Sequence, residues 1–115
     1  MKILAVVGTR PNFVKMAPLM RAFVRHEAFD AKLVHTGQHY DRTMSDLFFE
    51  QLGLPEPNFY LGVRAGSHAQ QTAEIMVKFE ELALKETPDI LVVVGDVNST
   101  LAAALTCAKL GIPVA

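Results

Sequence analysis

The sequence predicts an α/β fold in which helices cover both faces of a parallel sheet. Short apolar runs rich in Val, Ile and Leu alternate with helix-like stretches along the chain, the pattern of strands buried on both sides. The runs lead into turns that carry glycine and polar residues. With 115 residues, 50% of them hydrophobic and 20% charged, the chain suits one compact domain with a real core.

Strands are expected at Lys2–Val7, Ala31–Thr36, Asn58–Leu61 and Ile90–Val94, with a further one beginning at Pro113. The first helix carries Phe13, Met16, Ala17, Met20, Phe23 and Val24 on one stripe, and Pro18 is expected to kink it or delay its regular start. A second helix, Met44–Leu52, stops at Gly53 before a turn-rich connector. The third begins after Ser67, a suitable cap, and runs to about Glu86, with Thr72, Ile75, Met76, Phe79, Leu82 and Ala83 inward and Pro88 marking its end. The fourth, about Ser99–Leu110, is apolar nearly all round and stops at Gly111, which implies close packing inside something larger. No repeat or linker divides the chain. Because "KLGIPVA" opens a new buried strand, the 115 residues are expected to be an incomplete N-terminal domain.

A formal net charge of -1, from 11 basic and 12 acidic residues, provides no global field for nucleic acid or a membrane surface, so any anion site must be local. One cysteine, Cys107, excludes an intramolecular disulfide, and its apolar surroundings assign it to packing. The apolar run at the start is too short for a signal-peptide core, and no later run approaches the roughly 18 residues of a spanning helix. A soluble, cytoplasmic chain is expected.

Ligands of open parallel sheets sit beyond the carboxyl ends of the strands, and three polar stretches fall there. In "GTRPN", Gly8 permits a sharp exit, Pro11 suits a first helical turn, and Arg10 with Lys15 offers a guanidinium fork and a point charge to a diphosphate. Both could equally be solvated surface cations. In "GDVNST", Asp96 arrives at a strand end, where it or Asn98 could simply cap the next helix, or Asp96 could do acid–base work. In "TGQHYD", Gln38, His39, Tyr40 and Asp41 are mixed hydrogen-bonding groups, of which His39 on the loop could touch a ligand, whereas His35, within its strand, reads as a buried and satisfied histidine. Arg64 and His68 read as surface groups. The histidines form no metal-ligand pattern, and neither the dinucleotide nor the NTP glycine fingerprint occurs.

"GTRPNFVKMAPL", "TGQHYD", "GDVNSTLA" and "LGIPVA", in this order over all 115 residues, resemble the N-terminal half of the non-hydrolysing UDP-N-acetylglucosamine 2-epimerases. The resemblance implies a Rossmann-like doubly wound sheet, the first half of a glycosyltransferase-B-like two-domain enzyme whose C-terminal nucleotide-binding domain lies outside this chain. It implies interconversion of UDP-N-acetylglucosamine and UDP-N-acetylmannosamine through elimination and re-addition of UDP, with no redox cofactor, by a parent that is a homodimer. It places Arg10 and Lys15 on the nucleotide sugar, Asp96 in the active site, and Gln38 and His39 near a regulatory sugar-nucleotide pocket. Departures are Asn12, where the family commonly has Glu, and Val97, where it commonly has Thr. The alternatives are a hydrolysing 2-epimerase that releases free N-acetylmannosamine, and a nucleotide-sugar-binding or glycosyltransferase-type domain without epimerase chemistry.

Overall fold

Lys2–Val7 is a run of β-branched and aliphatic residues with no polar side chain after Lys2, and it becomes the central strand of the domain. The computed structural model describes residues 1–8, 10–37, 53, 56–64 and 66–115, and of Arg10 and Pro11 the backbone alone. Within these residues β1 (Lys2–Val7) is followed by α1 (Arg10–Arg25), β2 (Asp30–His35), β3 (Phe59–Tyr60), α2 (His68–Glu86), β4 (Ile90–Val92) and α3 (Asn98–Leu110). The helix expected at Met44–Leu52 and the "QHYD" segment with Gln38 and His39 lie outside the described residues.

The strands form a sheet in the order β3-β2-β1-β4, every pair parallel. Leu91 bridges Val114 in the same sense, so the expected strand at Pro113 adds to the edge beyond β4. Alternate residues of β1 serve opposite layers, as the two-residue period of a strand requires. Ile3, Ala5 and Val7 pack with Phe13, Met16, Ala17 and Met20 of α1. Leu4 and Val6 pack with Phe79 and Ala83 of α2 and Ala103 and Cys107 of α3. The sheet is therefore wound on both faces, as expected.

The differences in detail have local causes. β2 spans Asp30–His35, one residue earlier than expected, because Asp30 N–H donates to Met1 O and starts the ladder. β4 stops at Val92, since the carbonyl of Val94 is taken by the side chains of Asn12 and Thr100 instead of by a neighbouring strand. α1 begins at Arg10 and passes through Pro18, which lies on its exposed side. Val24, expected on the core stripe, is 69% exposed: sixteen helical residues extend about 24 Å whereas a six-residue strand spans about 20 Å, so the last turn runs past the sheet. Phe23 packs against the core as expected, and edge-on against Phe29 at 5.8 Å.

α2 has the capping box that Ser67 promises, with Ser67 Oγ accepting from Gln70 N–H and Gln70 Oε1 accepting from Ser67 N–H. It ends at Thr87 in the left-handed conformation, just before Pro88. At the opposite end of the sheet from the carboxyl ends, Glu86 ties together Lys32 and Lys2; the hydrogen bond from Lys32 leads the effects that hold its carboxyl below the usual range. Burial pushes the Cys107 thiol up to about 11, consistent with a packing role.

Two positions on α2 test this layering. Phe79 is fully buried while Val77 is 62% exposed. Phe79→Ala is expected to cost about 3–5 kcal/mol in urea denaturation, and Val77→Ala no more than about 0.5 kcal/mol.

Candidate functional site

The chain order creates a crevice. From β1 the path moves by way of β2 to β3, and α2 then carries it back across the sheet to place β4 on the other side of β1. In such a sheet the connections leaving the two strands at the reversal diverge to opposite faces and leave room between them. Those two connections are the β1–α1 turn with Gly8, which leads into Arg10 and Lys15 of α1, and the β4–α3 turn with Gly95 and Asp96. Two of the three polar stretches singled out in the sequence therefore flank the topological switch point.

A cleft of about 390 Å³ opens at this end of the sheet, with Gly8, Thr36, His68, Asp96, Asn98 and Ser99 among its lining residues. Its floor is a buried hydrogen bond of 2.9 Å between Thr36 Oγ1 and Ser99 Oγ, which joins the end of β2 to the first turn of α3. Gly8 lies against this pair. A Cβ there would collide with Ser99 Oγ and stand 2.7 Å from Thr36 Oγ1, so glycine is required by close approach.

Asp96 is exposed at the cleft, and it does not cap α3. Val97 is the N-cap residue and makes no side-chain cap hydrogen bond. Asn98, the other candidate, is already inside the helix; its amide donates to Gln71 Oε1 at 2.8 Å and lies 3.0 Å from His68 Nδ1. The capping alternative is thus corrected for both residues. Gly95 holds φ +82°, the left-handed region open to glycine, and this bend turns Asp96 toward the cleft. A Cβ on Gly95 would stand 3.9 Å from Lys15 Nζ. Lys15 and the Asp96 turn therefore meet across the crevice, with Arg10 at the first residue of α1.

His35 behaves as expected of a buried histidine. It is 6% exposed, Nδ1 accepts from Gly37 N–H at 2.7 Å, and its ring lies between Phe13 and Tyr60 at 5.3 and 5.4 Å. His68 is exposed, as expected of a surface group, and it also lines the cleft, because the Ser67 cap fixes the first turn of α2 beside Asn98. Sequence reasoning also missed Thr36, Ser99 and Gln71. The signal for the last was available: a capped helix whose first turn reads "HAQQ" points its polar groups toward the strand ends. Among the described residues no group of three His, Cys, Asp or Glu side chains is placed to hold a metal ion.

The arrangement offers an anion the first turns of two helices, α1 and α3, plus a lysine and a flanking carboxylate. Gly8→Ala is expected to cost about 1–3 kcal/mol of stability by overpacking. It is also expected to part Thr36 from Ser99, read as a loss of protection of their hydroxyl and amide protons.

The family model for UDP-N-acetylglucosamine 2-epimerase matches residues 21–115. A UDP-N-acetylglucosamine 2-epimerase homolog of Methanococcus maripaludis is 49% identical over all 115 residues. The UDP-2,3-diacetamido-2,3-dideoxy-D-glucuronate 2-epimerase of Pseudomonas aeruginosa is 44% identical over the same span. The crystal structure of the Methanocaldococcus jannaschii UDP-GlcNAc 2-epimerase in complex with UDP-GlcNAc and UDP superposes with a TM-score of 0.92 at 43% identity, covering 100% of this chain and 32% of that one. The chain likewise spans 32% of the length of each of the two sequence relatives.

Proposed function

Because this chain belongs to the UDP-N-acetylglucosamine 2-epimerase family, we propose that it forms one wall of an active site that inverts C2 of UDP-N-acetylglucosamine. The observation that carries the reading is the approach of Lys15 to the Gly95–Asp96 turn at the β1/β4 crevice, where the N-termini of α1 and α3 lie at the same end of the sheet. The remaining wall would come from a second domain of a longer polypeptide, and this segment by itself would be inactive.

The chemistry fits these groups. The C2 proton of the sugar is not next to a carbonyl, so its removal alone is very unfavourable. Removing it while the C1–O bond to UDP breaks leaves a C1=C2 double bond in a glycal, and the bonding pair departs with the diphosphate. Re-addition of UDP at C1 with proton delivery to the other face of C2 gives the epimer. Arg10 and Lys15 would stabilise the charge on the departing diphosphate, and the helix N-termini would add oriented N–H groups. Asp96 would handle a proton at the sugar, as acid or as base. Gln38 and His39 would contact a second, regulatory sugar nucleotide.

A second reading differs in the substrate. The 44% identity to a UDP-2,3-diacetamido-2,3-dideoxy-D-glucuronate 2-epimerase matches the identity to the GlcNAc enzymes, at 43% and 42%. The parent is further proposed to act in the cytoplasm, in polysaccharide precursor synthesis; among the described residues no helix is long and apolar enough to cross a membrane.

The parent is also proposed to be a homodimer. Val77 and Leu84 on α2 and Leu101 and Leu105 on α3 are 62%, 60%, 58% and 40% exposed. They point away from the sheet on adjacent helices, a face suited to a second copy.

Incubating the full-length polypeptide with UDP-N-acetylglucosamine in deuterated water is expected to give the mannosamine epimer with deuterium at C2. Free N-acetylmannosamine would indicate the hydrolysing alternative, turnover of the diacetamido glucuronate alone would indicate the second substrate, and no exchange with either would reject epimerase chemistry. Asp96→Asn is expected to lower kcat by about 100-fold or more, and Lys15→Ala to weaken UDP binding by about 10-fold or more. Leu101→Glu with Leu105→Glu is expected to halve the mass measured by light scattering; an unchanged mass would remove this face as the dimer contact.

A further inference from the structure

Asn12 is a polar residue at a position where the helix faces the core. It is 2% exposed, yet both ends of its carboxamide are engaged. Oδ1 accepts from Gly8 N–H at 3.1 Å, and Nδ2 donates to Val94 O at 2.9 Å. The first partner belongs to the turn that leads to Arg10 and Lys15, and the second precedes Gly95 and Asp96. One side chain therefore spans the β1/β4 crevice from beneath.

We infer that Asn12 is a positioning residue whose carboxamide fixes the gap between the start of α1, the helix that bears Lys15, and the turn that bears Asp96. This rests on the epimerase reading for its functional consequence. Three observations support it. The chemistry is selective: Gly8 presents a donor and Val94 an acceptor, and a neutral carboxamide supplies one complementary group to each. A carboxylate could serve Gly8 but would set lone pairs against the Val94 carbonyl. The geometry is tight: a Cβ on Gly95 would stand 3.1 Å from Asn12 Nδ2, so the amide sits directly under the bend that aims Asp96. The bend is braced from the other side too, since Thr100 Oγ1 donates to the same Val94 carbonyl at 2.9 Å. Val94 O thus receives one donor from α1 and one from α3.

Elimination of a diphosphate needs the groups that stabilise the leaving anion and the group that moves the proton at fixed separation, because a misplacement of about 1 Å can cost roughly 100-fold in rate. Asn12 touches neither proton nor phosphate, so its loss is expected in kcat more than in KM.

The test compares Asn12→Asp and Asn12→Ala in the full-length polypeptide. Asn12→Asp keeps the acceptor for Gly8 and removes the donor to Val94, while Asn12→Ala removes both. With rates normalised to the folded fraction measured by circular dichroism, Asn12→Asp is expected to lower kcat about 10–100-fold with KM for UDP-N-acetylglucosamine within about threefold. In isotope-labelled protein the Gly8 amide is expected to exchange at least about tenfold faster in Asn12→Ala but not in Asn12→Asp, and the Val94 carbonyl carbon resonance to move in both. A wild-type kcat in Asn12→Asp, or Gly8 exchange unchanged in Asn12→Ala, would overturn the inference. If the wild-type polypeptide shows no epimerase activity, the functional reading fails, and the Gly8 and Val94 signals still decide whether the clamp exists.

Discussion

Burial of β1 between two parallel neighbours is the constraint on which the rest of the domain depends. Ile3 through Val7 are each at most 2% exposed, so this strand is covered on both faces and both edges. Its register with β2, Val7 opposite His35, and with β4, Ala5 opposite Val92, brings their carboxyl ends to one rim. Every polar group of the cleft reaches it from that rim. The buried polar side chains beside the site are paired, Thr36 with Ser99 and Asn12 with Gly8 and Val94, and satisfied buried groups of this kind are held in single positions.

The helices contribute by direction as well as by packing. α1 and α3 cover opposite faces of the sheet, yet both start at the same end, so their positive ends converge from two sides. Their contrasting exposure divides the tasks. α1 gives the core Phe13, Met16 and Met20 and leaves Lys15 free to reach over the rim, whereas α3 inserts Ala102, Ala103 and Cys107 and leaves Leu101 and Leu105 outside. Small residues on the inner face of α3 let it pack closely, and this is what brings Ser99 within hydrogen-bond distance of Thr36.

Local pattern in the sequence disclosed the strands, the capped third helix and the rim position of Arg10, Lys15 and Asp96, because each depends on residues near in the chain. β1 agrees with its expected bounds and α2 starts after Ser67 as expected. What escaped the reading depends on partners far away. Asn98 looks like a helix cap until His68 and Gln71, about 30 positions earlier, claim its amide. The valine run at 90–94 looks like one strand until two side chains take the Val94 carbonyl. Val24 fits a helical stripe that outlasts the sheet beneath it. Asn12 is the clearest case, since only the meeting of β1 and β4 distinguishes a bridging amide from an ordinary polar residue in a first turn. The family resemblance rested on motif order and spacing, and the family match over residues 21–115 agrees with it.

On the proposed function, the rim at the β1/β4 crevice grips the diphosphate of a sugar nucleotide. The most direct measurement is a titration of the isotope-labelled full-length polypeptide with UDP, followed through its backbone amide resonances. The largest shifts are expected at Gly8, Lys15, Gly95, Asp96 and Ser99, with Thr87 and Gly111 at the far end of the sheet unmoved. Shifts concentrated at that far end, or none in the β1–α1 and β4–α3 turns at saturating UDP, would contradict it.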